Sequence, residues 1–306
     1  MDIALSSLRF AFQSVKENQG CAGVDRVSIR MFEENENVNL QVLQDELFRK
    51  VYRPYPLMKV LIPKKDEETP RTLCIPTVRD RIVQKTVLNL IEPILDKEFE
   101  ETSFAYRKGY SVKRAVYRIR SLYEQGYRFI IDADIDDYFD SVDHDILMTK
   151  FQRFIDNKDI QNLVRLWIKT DIWDGTALVT PTQGIPQGSP MSPVLANLFL
   201  DEIDERLSES GCKYVRYADN YLLLGKNEAE ARNSLDLSTE LLDTLDLELA
   251  VEKTASFDKG FTFLGVFFFN DMIMKPFARP EKEQSTPVFP AHFDINAWRC
   301  GTQERR

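Results

Sequence analysis

At 306 residues the chain can form one large domain or two smaller ones around a substantial core. Its 43% hydrophobic and 29% charged residues describe an ordinary soluble globular protein. No apolar run approaches the roughly 18 residues that span a bilayer, and the N-terminus has no signal-peptide pattern. Cys21, Cys74, Cys212 and Cys300 are widely spaced, which predicts free thiols in a reducing cytoplasm and no structural zinc.

A net charge of −9 sits badly with a nucleic-acid partner until its distribution is read. Residues 50–85 carry nine Lys/Arg against four Asp/Glu, and 106–128 carry seven against one. Residues 201–252 reverse the balance, with five basic and fourteen acidic. A basic N-terminal half beside an acidic C-terminal half fits a groove with one positive wall, although solvated helix faces would give the same counts.

Leu5, Leu8, Phe12 and Val15 predict a first helix over 3–15, which Gly20 and Gly23 end. Residues 42–52 read as a second helix. Strand-like runs at 58–63 and 71–76 flank a polar loop and predict a β-hairpin. Residues 80–95 are strongly amphipathic, with Ile82, Val83, Val87, Leu90, Ile91 and Ile94 on one side. Residues 112–123 read as a basic helix, and 145–154 and 160–170 as two more. The apolar run 127–131 leads into an acidic stretch, 133–140. After a glycine–proline loop, Val194, Leu195, Leu198, Phe199, Ile203 and Leu207 predict a helix over 192–207. Residues 213–217 and 221–224 read as the two strands of a hairpin, 228–246 as helix, and 248–254 and 261–269 as extended. The order from Tyr127 to Ala250 is β-α-β-β-α-β, the split-βαβ arrangement of an α+β fold. Beyond Met274, Pro276, Pro280, Pro287 and Pro290 break any regular element, so 271–306 reads as a tail, linker or incomplete extra piece.

Two acidic stretches carry the chemistry. Asp134 ends one predicted strand and Asp219 follows another, and pairing those strands would bring the carboxylates together at one sheet edge. Carboxylates that close repel unless a cation lies between them, and hard oxygen ligands suit Mg²⁺ or Mn²⁺. Two such ions, roughly 3.5–4 Å apart, serve in-line phosphoryl transfer in polymerases. A turn or helix cap is the ordinary role of an acid at a strand end. The matching loop between these two favours the catalytic reading.

Asp134 with Phe139–Asp140, the loop Pro186-Gln187-Gly188-Ser189-Pro190-Met191-Ser192-Pro193, and Tyr217-Ala218-Asp219-Asn220 resemble successive core motifs of a reverse transcriptase. Residues 71–84 resemble the preceding motif of bacterial group II intron-type enzymes, and Gly23-Val24-Asp25 their N-terminal extension. Phe263-Leu264-Gly265 is similar to the motif that grips the primer. The resemblance runs in order from about residue 18 to 270 and implies a right-hand polymerase with fingers and palm, its thumb reduced or missing. Fingers are expected at 1–105, with 145–182 contributing, and palm over 106–270. The loop sequence is most like that of CRISPR-associated reverse transcriptases, which implies a Cas1-type integrase or a fused or adjacent domain as partner, and spacer acquisition from RNA. A retron-type or other antiphage enzyme is a further alternative.

The resemblance also implies roles. Asp134, Asp219 and the backbone carbonyl of Ile135 are the expected metal ligands for two Mg²⁺, with Mn²⁺ able to substitute. Lys64 and Arg71 match the finger residues that hold the triphosphate of a dNTP. Phe139 matches the ring that blocks a ribose 2′-OH, and is equally a core aromatic. Gln187 and Gly188 match the loop beneath the templating pair, and Lys253 the lysine that protonates departing pyrophosphate. RNA template, DNA or RNA primer and dNTP are the implied partners, with no membrane. Asn220 departs from the family, which usually has a second aspartate there. An active natural variant, an inactive relative and an engineered knockout all fit. A silent RNA- or partner-binding module and an RNA-dependent RNA polymerase are therefore the rival readings.

Overall fold

The computed structural model describes residues 2–63 and 70–274. In chain order come α1 (Leu5–Glu17), α2 (Ile29–Glu34), α3 (Glu36–Phe48), β1 (Leu57–Ile62), β2 (Arg71–Ile75) and α4 (Val78–Leu95). Next are α5 (Val112–Glu124), β3 (Phe129–Ile135), α6 (Tyr138–Ser141), α7 (His144–Phe154), α8 (Lys158–Ile168), β4 (Ile172–Trp173) and β5 (Leu178–Val179). The rest is α9 (Ser192–Glu209), β6 (Lys213–Tyr217), β7 (Asn220–Gly225), α10 (Glu228–Asp243), β8 (Leu249–Ser256), β9 (Phe261–Phe263), β10 (Val266–Phe269) and β11 (Met272–Met274). The proline-rich residues 275–306 lie outside the described residues. No helix among those described is long and apolar enough to cross a membrane.

The chain divides into two compact units. Among the described residues the first takes in 2–63, 70–94 and 148–193, and the second 95–147 and 194–274. In the first, β1 and β2 form the expected antiparallel hairpin, and β1 also pairs in parallel with β4 to give a sheet ordered β2-β1-β4-β5. The helix expected over 42–52 begins six residues earlier and ends sooner. It buries Leu40, Leu43 and Leu47, and Lys50 turns the chain out of it with φ +61°. At its end Tyr52 donates from its hydroxyl to the buried carboxylate of Asp80 at 2.7 Å, which Thr77 Oγ1 also meets at 2.6 Å. Burial pushes the Asp80 carboxyl up, against the pull of those hydrogen bonds.

In the second unit the sheet order is β6-β7-β3-β8, antiparallel throughout. The split-βαβ expectation holds, with β3 central. One sheet face sends Ile130, Val215, Leu222 and Leu224 into a core shared with Ala115, Val116, Ile119 and Leu122 of α5. On the opposite face Tyr214 and Tyr221 stack at 6.1 Å, and Tyr214 donates to the backbone of Asp204 in α9. The extended run expected over 261–269 is instead two short strands. Leu264 and Gly265, at φ +50° and +72°, form a two-residue hairpin between Phe263 and Val266.

Candidate active site

β3 is apolar along most of its length because it is flanked by strands on both sides and covered on both faces. Asp134 lies near its C-terminal end, and its register partner on β7 is Asn220. Two-residue alternation sets Asp134 on the face of Ile130, and Asn220 on the face of Leu222 and Leu224. The turn Ala218–Asp219 joins β6 to β7, and the Asp219 carbonyl accepts from the Ile135 amide at 3.2 Å. Asp134, Ile135, Asp219 and Asn220 are thus gathered at one end of two neighbouring strands. Asn220 Nδ2 donates to Asp219 Oδ1 at 3.1 Å, so the amide occupies one acceptor site of the carboxylate.

This turn is held from beneath. Ala218 has φ +62°, a left-handed conformation that costs a non-glycine residue about 1 kcal/mol. Its carbonyl accepts from Arg216 Nη1 at 2.9 Å. Arg216 and Asp204 are each only 1% exposed at the side chain and form a forked ion pair, with Nε at 3.0 and 2.8 Å from the two carboxylate oxygens. Nη1 also donates to Asn197 Oδ1 at 3.1 Å, and Asn197 in turn donates to the Ala105 carbonyl at 2.9 Å. Burial opposes the charge on Arg216, but the Asp204 carboxylate more than offsets it and holds the guanidinium above its ordinary pKa. Sequence reading passed over Arg216, Asp204 and Asn197. The one signal was an arginine inside the apolar run 213–217.

Lys253 is exposed on β8 opposite Asp132, two residues along β3 from Asp134. A register shift beside it, between Asp132 and Ala133, marks a β-bulge, a device that re-aims side chains near functional sites. Phe139, on the single-turn α6, is 8% exposed and packs edge-on to Tyr138 at 5.6 Å, so it does have the core role expected of it.

In the first unit the structure joins residues far apart in sequence. Arg71 Nε donates to Gln187 Oε1 at 2.9 Å, and the Cys74 amide donates to the Gln187 carbonyl at 2.7 Å. Gly188 has φ +113°, and a Cβ there would sit 3.0 Å from the Cys74 carbonyl oxygen. Glycine is required both for the backbone angle and for this close approach. Below the loop, Ser189 Oγ donates to the buried Gln84 at 3.1 Å and Ser192 Oγ to the Pro186 carbonyl at 2.7 Å. Lys64 lies outside the described residues.

Asp134, Asp219, Ile135 and Asn220 each carry a carboxylate, carbonyl or amide oxygen at this end of the strands, and oxygen donors are the kind Mg²⁺ and Mn²⁺ select. Among the described residues no three of the His, Cys, Asp and Glu side chains cluster as a metal site. The amide of Asn220 stands where a further carboxylate would add to the pair.

A four-stranded antiparallel sheet with Asp134 on its central strand and Asp219 in the adjoining hairpin turn is that of a polymerase of the fingers-and-palm class. Residues 62–268 match the family described as Reverse transcriptase (RNA-dependent DNA polymerase), and the chain belongs to that family. It is 32% identical over 284 residues to Protein YkfC of Escherichia coli K12, covering 79% of this chain and 74% of that one. It is 28% identical over 209 residues to the group II intron-encoded protein LtrA of Lactococcus lactis, covering 67% of this chain but 34% of LtrA. The chain therefore spans about a third of that relative. Among solved structures, telomerase from Candida albicans in complex with a fragment of telomeric RNA shares the fold, with TM-score 0.58 and 14% identity. That likeness covers 88% of this chain and 50% of the telomerase chain.

Proposed function

We propose that the chain is an RNA-directed DNA polymerase that extends a primer 3′-OH with dNTPs, the second unit acting as palm and the first as fingers. The observation that carries this reading is the register of Asp134 against Asn220 with Asp219 in the adjoining turn. Asp134, Asp219 and the Ile135 carbonyl would hold divalent cations. Bound Mg²⁺, or Mn²⁺ in its place, would neutralise the charge of the transferring phosphoryl group and activate the attacking oxygen. Arg71, together with Lys64, binds the triphosphate, a fork and a point charge set against phosphate oxygens. The Gln187–Gly188 loop supports the templating pair, Phe139 excludes a ribose 2′-OH, and Lys253 offers a proton to departing pyrophosphate.

Asn220 keeps an acceptor oxygen but lacks the negative charge of a carboxylate, so it weakens cation binding without emptying the site. The test is extension of a DNA primer on an RNA template, with dNTPs and separately with NTPs, in Mg²⁺ and in Mn²⁺. DNA synthesis is expected to exceed RNA synthesis in both metals. Template binding with no incorporation in either metal would favour a silent binding module, and preferred use of NTPs an RNA polymerase. A Cas1-type integrase as partner, and acquisition of spacers from RNA, rest on the loop sequence 184–193. Failure of the chain to co-purify with a co-expressed integrase of that type would count against both. Among the described residues the thiols of Cys21 and Cys212 are in no disulfide, which fits a reducing compartment such as the cytoplasm.

A further inference from the structure

A second charged surface lies within the second unit, apart from the acidic turn. Residues 102–104 run along the outer edge of β6, where the Arg216 amide donates to the Thr102 carbonyl at 2.9 Å and the Phe104 amide to the Arg216 carbonyl at 3.0 Å. Between this segment and α5 is a hollow of about 270 Å³, lined by Glu101, Phe104, Tyr110, Arg114, Tyr117 and Arg118 among others. The buried stripe of α5 is Ala115, Val116, Ile119 and Leu122, so its opposite side carries Lys113, Arg114 and Tyr117 outward. Tyr117 is 55% exposed.

Three features distinguish this surface from an ordinary solvated helix face. First, Arg114 and Arg118 form no ion pair with any carboxylate among the described residues, whereas Arg107 and Arg120 on either side are paired with Asp96 and Glu124. Second, the cations are laid on aromatic rings. Arg114 sits 4.4 Å from the Tyr110 centroid and Lys113 5.7 Å from that of Tyr117. Third, the patch is basic in a chain of net charge −9, with seven cations against one anion over 106–128. Glu101 at the rim is the opposing charge.

We propose that this hollow binds a single-stranded RNA segment, with phosphates on Arg114 and Arg118 and a base stacked on Tyr117. Arginine forks match phosphate geometry, an exposed tyrosine ring accepts any base, and the two at one-turn spacing make a sequence-tolerant grip. Because the hollow flanks the β6 edge, RNA held there lies beside the strand that leads into the Ala218–Asp219 turn. An acidic protein segment would use the arginines but would gain little from the exposed ring.

The test is fluorescence anisotropy with a labelled oligouridylate of about 12 nucleotides, long enough for one such groove. The full chain is compared with Arg114→Gln/Arg118→Gln, with Tyr117→Ala, and with Arg30→Gln in the first unit as a control, each checked for a native circular dichroism spectrum. The double variant should lower the salt dependence of binding by about 1.4, roughly 0.7 for each lost phosphate contact on a single strand. Tyr117→Ala should weaken binding by about five-fold or more at every salt concentration, the loss of one stacked base. The Arg30 variant should match the parent. Unchanged affinity and salt slope in the folded α5 variants would overturn the proposal, and so would an equal loss in Arg30→Gln. The readout is binding, so it stands or falls independently of DNA synthesis.

Discussion

Two loops that carry candidate site residues, one in each unit, are held in opposite ways. The Ala218–Asp219 turn rests on a buried ion pair, with Arg216 and Asp204 each 1% exposed and the guanidinium reaching the turn's own carbonyl. The Gln187–Gly188 loop is strapped to β2 by one backbone hydrogen bond and the surface contact of Arg71 with Gln187. A buried pair is costly to desolvate and costlier still to break, so it fixes a geometry. An exposed pair contributes at most about 1 kcal/mol and can open to exchange one partner for a ligand. The difference suits the proposed duties: carboxylates that must hold their spacing, and an arginine that must release a glutamine to take up a triphosphate.

The largest effect should come from the acids themselves. Asp134→Ala or Asp219→Ala should lower dNTP incorporation by about 10³-fold or more, from the loss of transition-state charge stabilisation worth several kcal/mol. Retention of native urea unfolding would show that the loss is chemical. Next, Arg216→Met should destabilise the fold by about 3–5 kcal/mol, because it strands the Asp204 carboxylate in the core. Arg216→Met/Asp204→Leu should recover most of that stability in urea titration while synthesis stays low. Full recovery of synthesis would mean that the clamp on Ala218 does nothing for catalysis.

Asn220→Asp sharpens the account of the departure from the family pattern. It replaces the donor to Asp219 with a third carboxylate and should lower the Mg²⁺ concentration for half-maximal synthesis by about ten-fold, since ligand charge sets affinity. An unchanged Mg²⁺ titration would sink the idea that Asn220 weakens the site. In the surface loop, Gly188→Ala should cost about 1–3 kcal/mol from its backbone angle, a fall in Tm of a few degrees. Gln187→Ala should be smallest, within about 0.5 kcal/mol in stability, with its effect confined to nucleotide KM.

The parts legible in sequence were those written locally. β3, the β6–β7 hairpin and α9 each follow from an apolar period and a breaker, and the order of the acidic stretches with the Pro186–Pro193 loop points to the residues proposed as the site. Residues whose meaning depends on a distant partner were not legible. Arg216 resembles any cation in a half-exposed strand until α9 supplies Asp204 and Asn197 from twelve and nineteen positions away. β4 and β5 are two residues each and leave almost no period to detect. The hairpin at Leu264–Gly265 was hidden because leucine gives no warning of a positive φ. The start of α3 was missed because Asn35, its N-cap, also closes α2, so no loop separates the two.

The central claim is metal-dependent DNA synthesis from the Asp134 and Asp219 pair with Asn220 beside it. Primer extension on an RNA template, with the unaltered chain and Asp134→Ala prepared side by side in Mg²⁺, tests it most directly. The unaltered chain should show dNTP-dependent extension, abolished by EDTA and absent from Asp134→Ala. Equal extension by both proteins would contradict it.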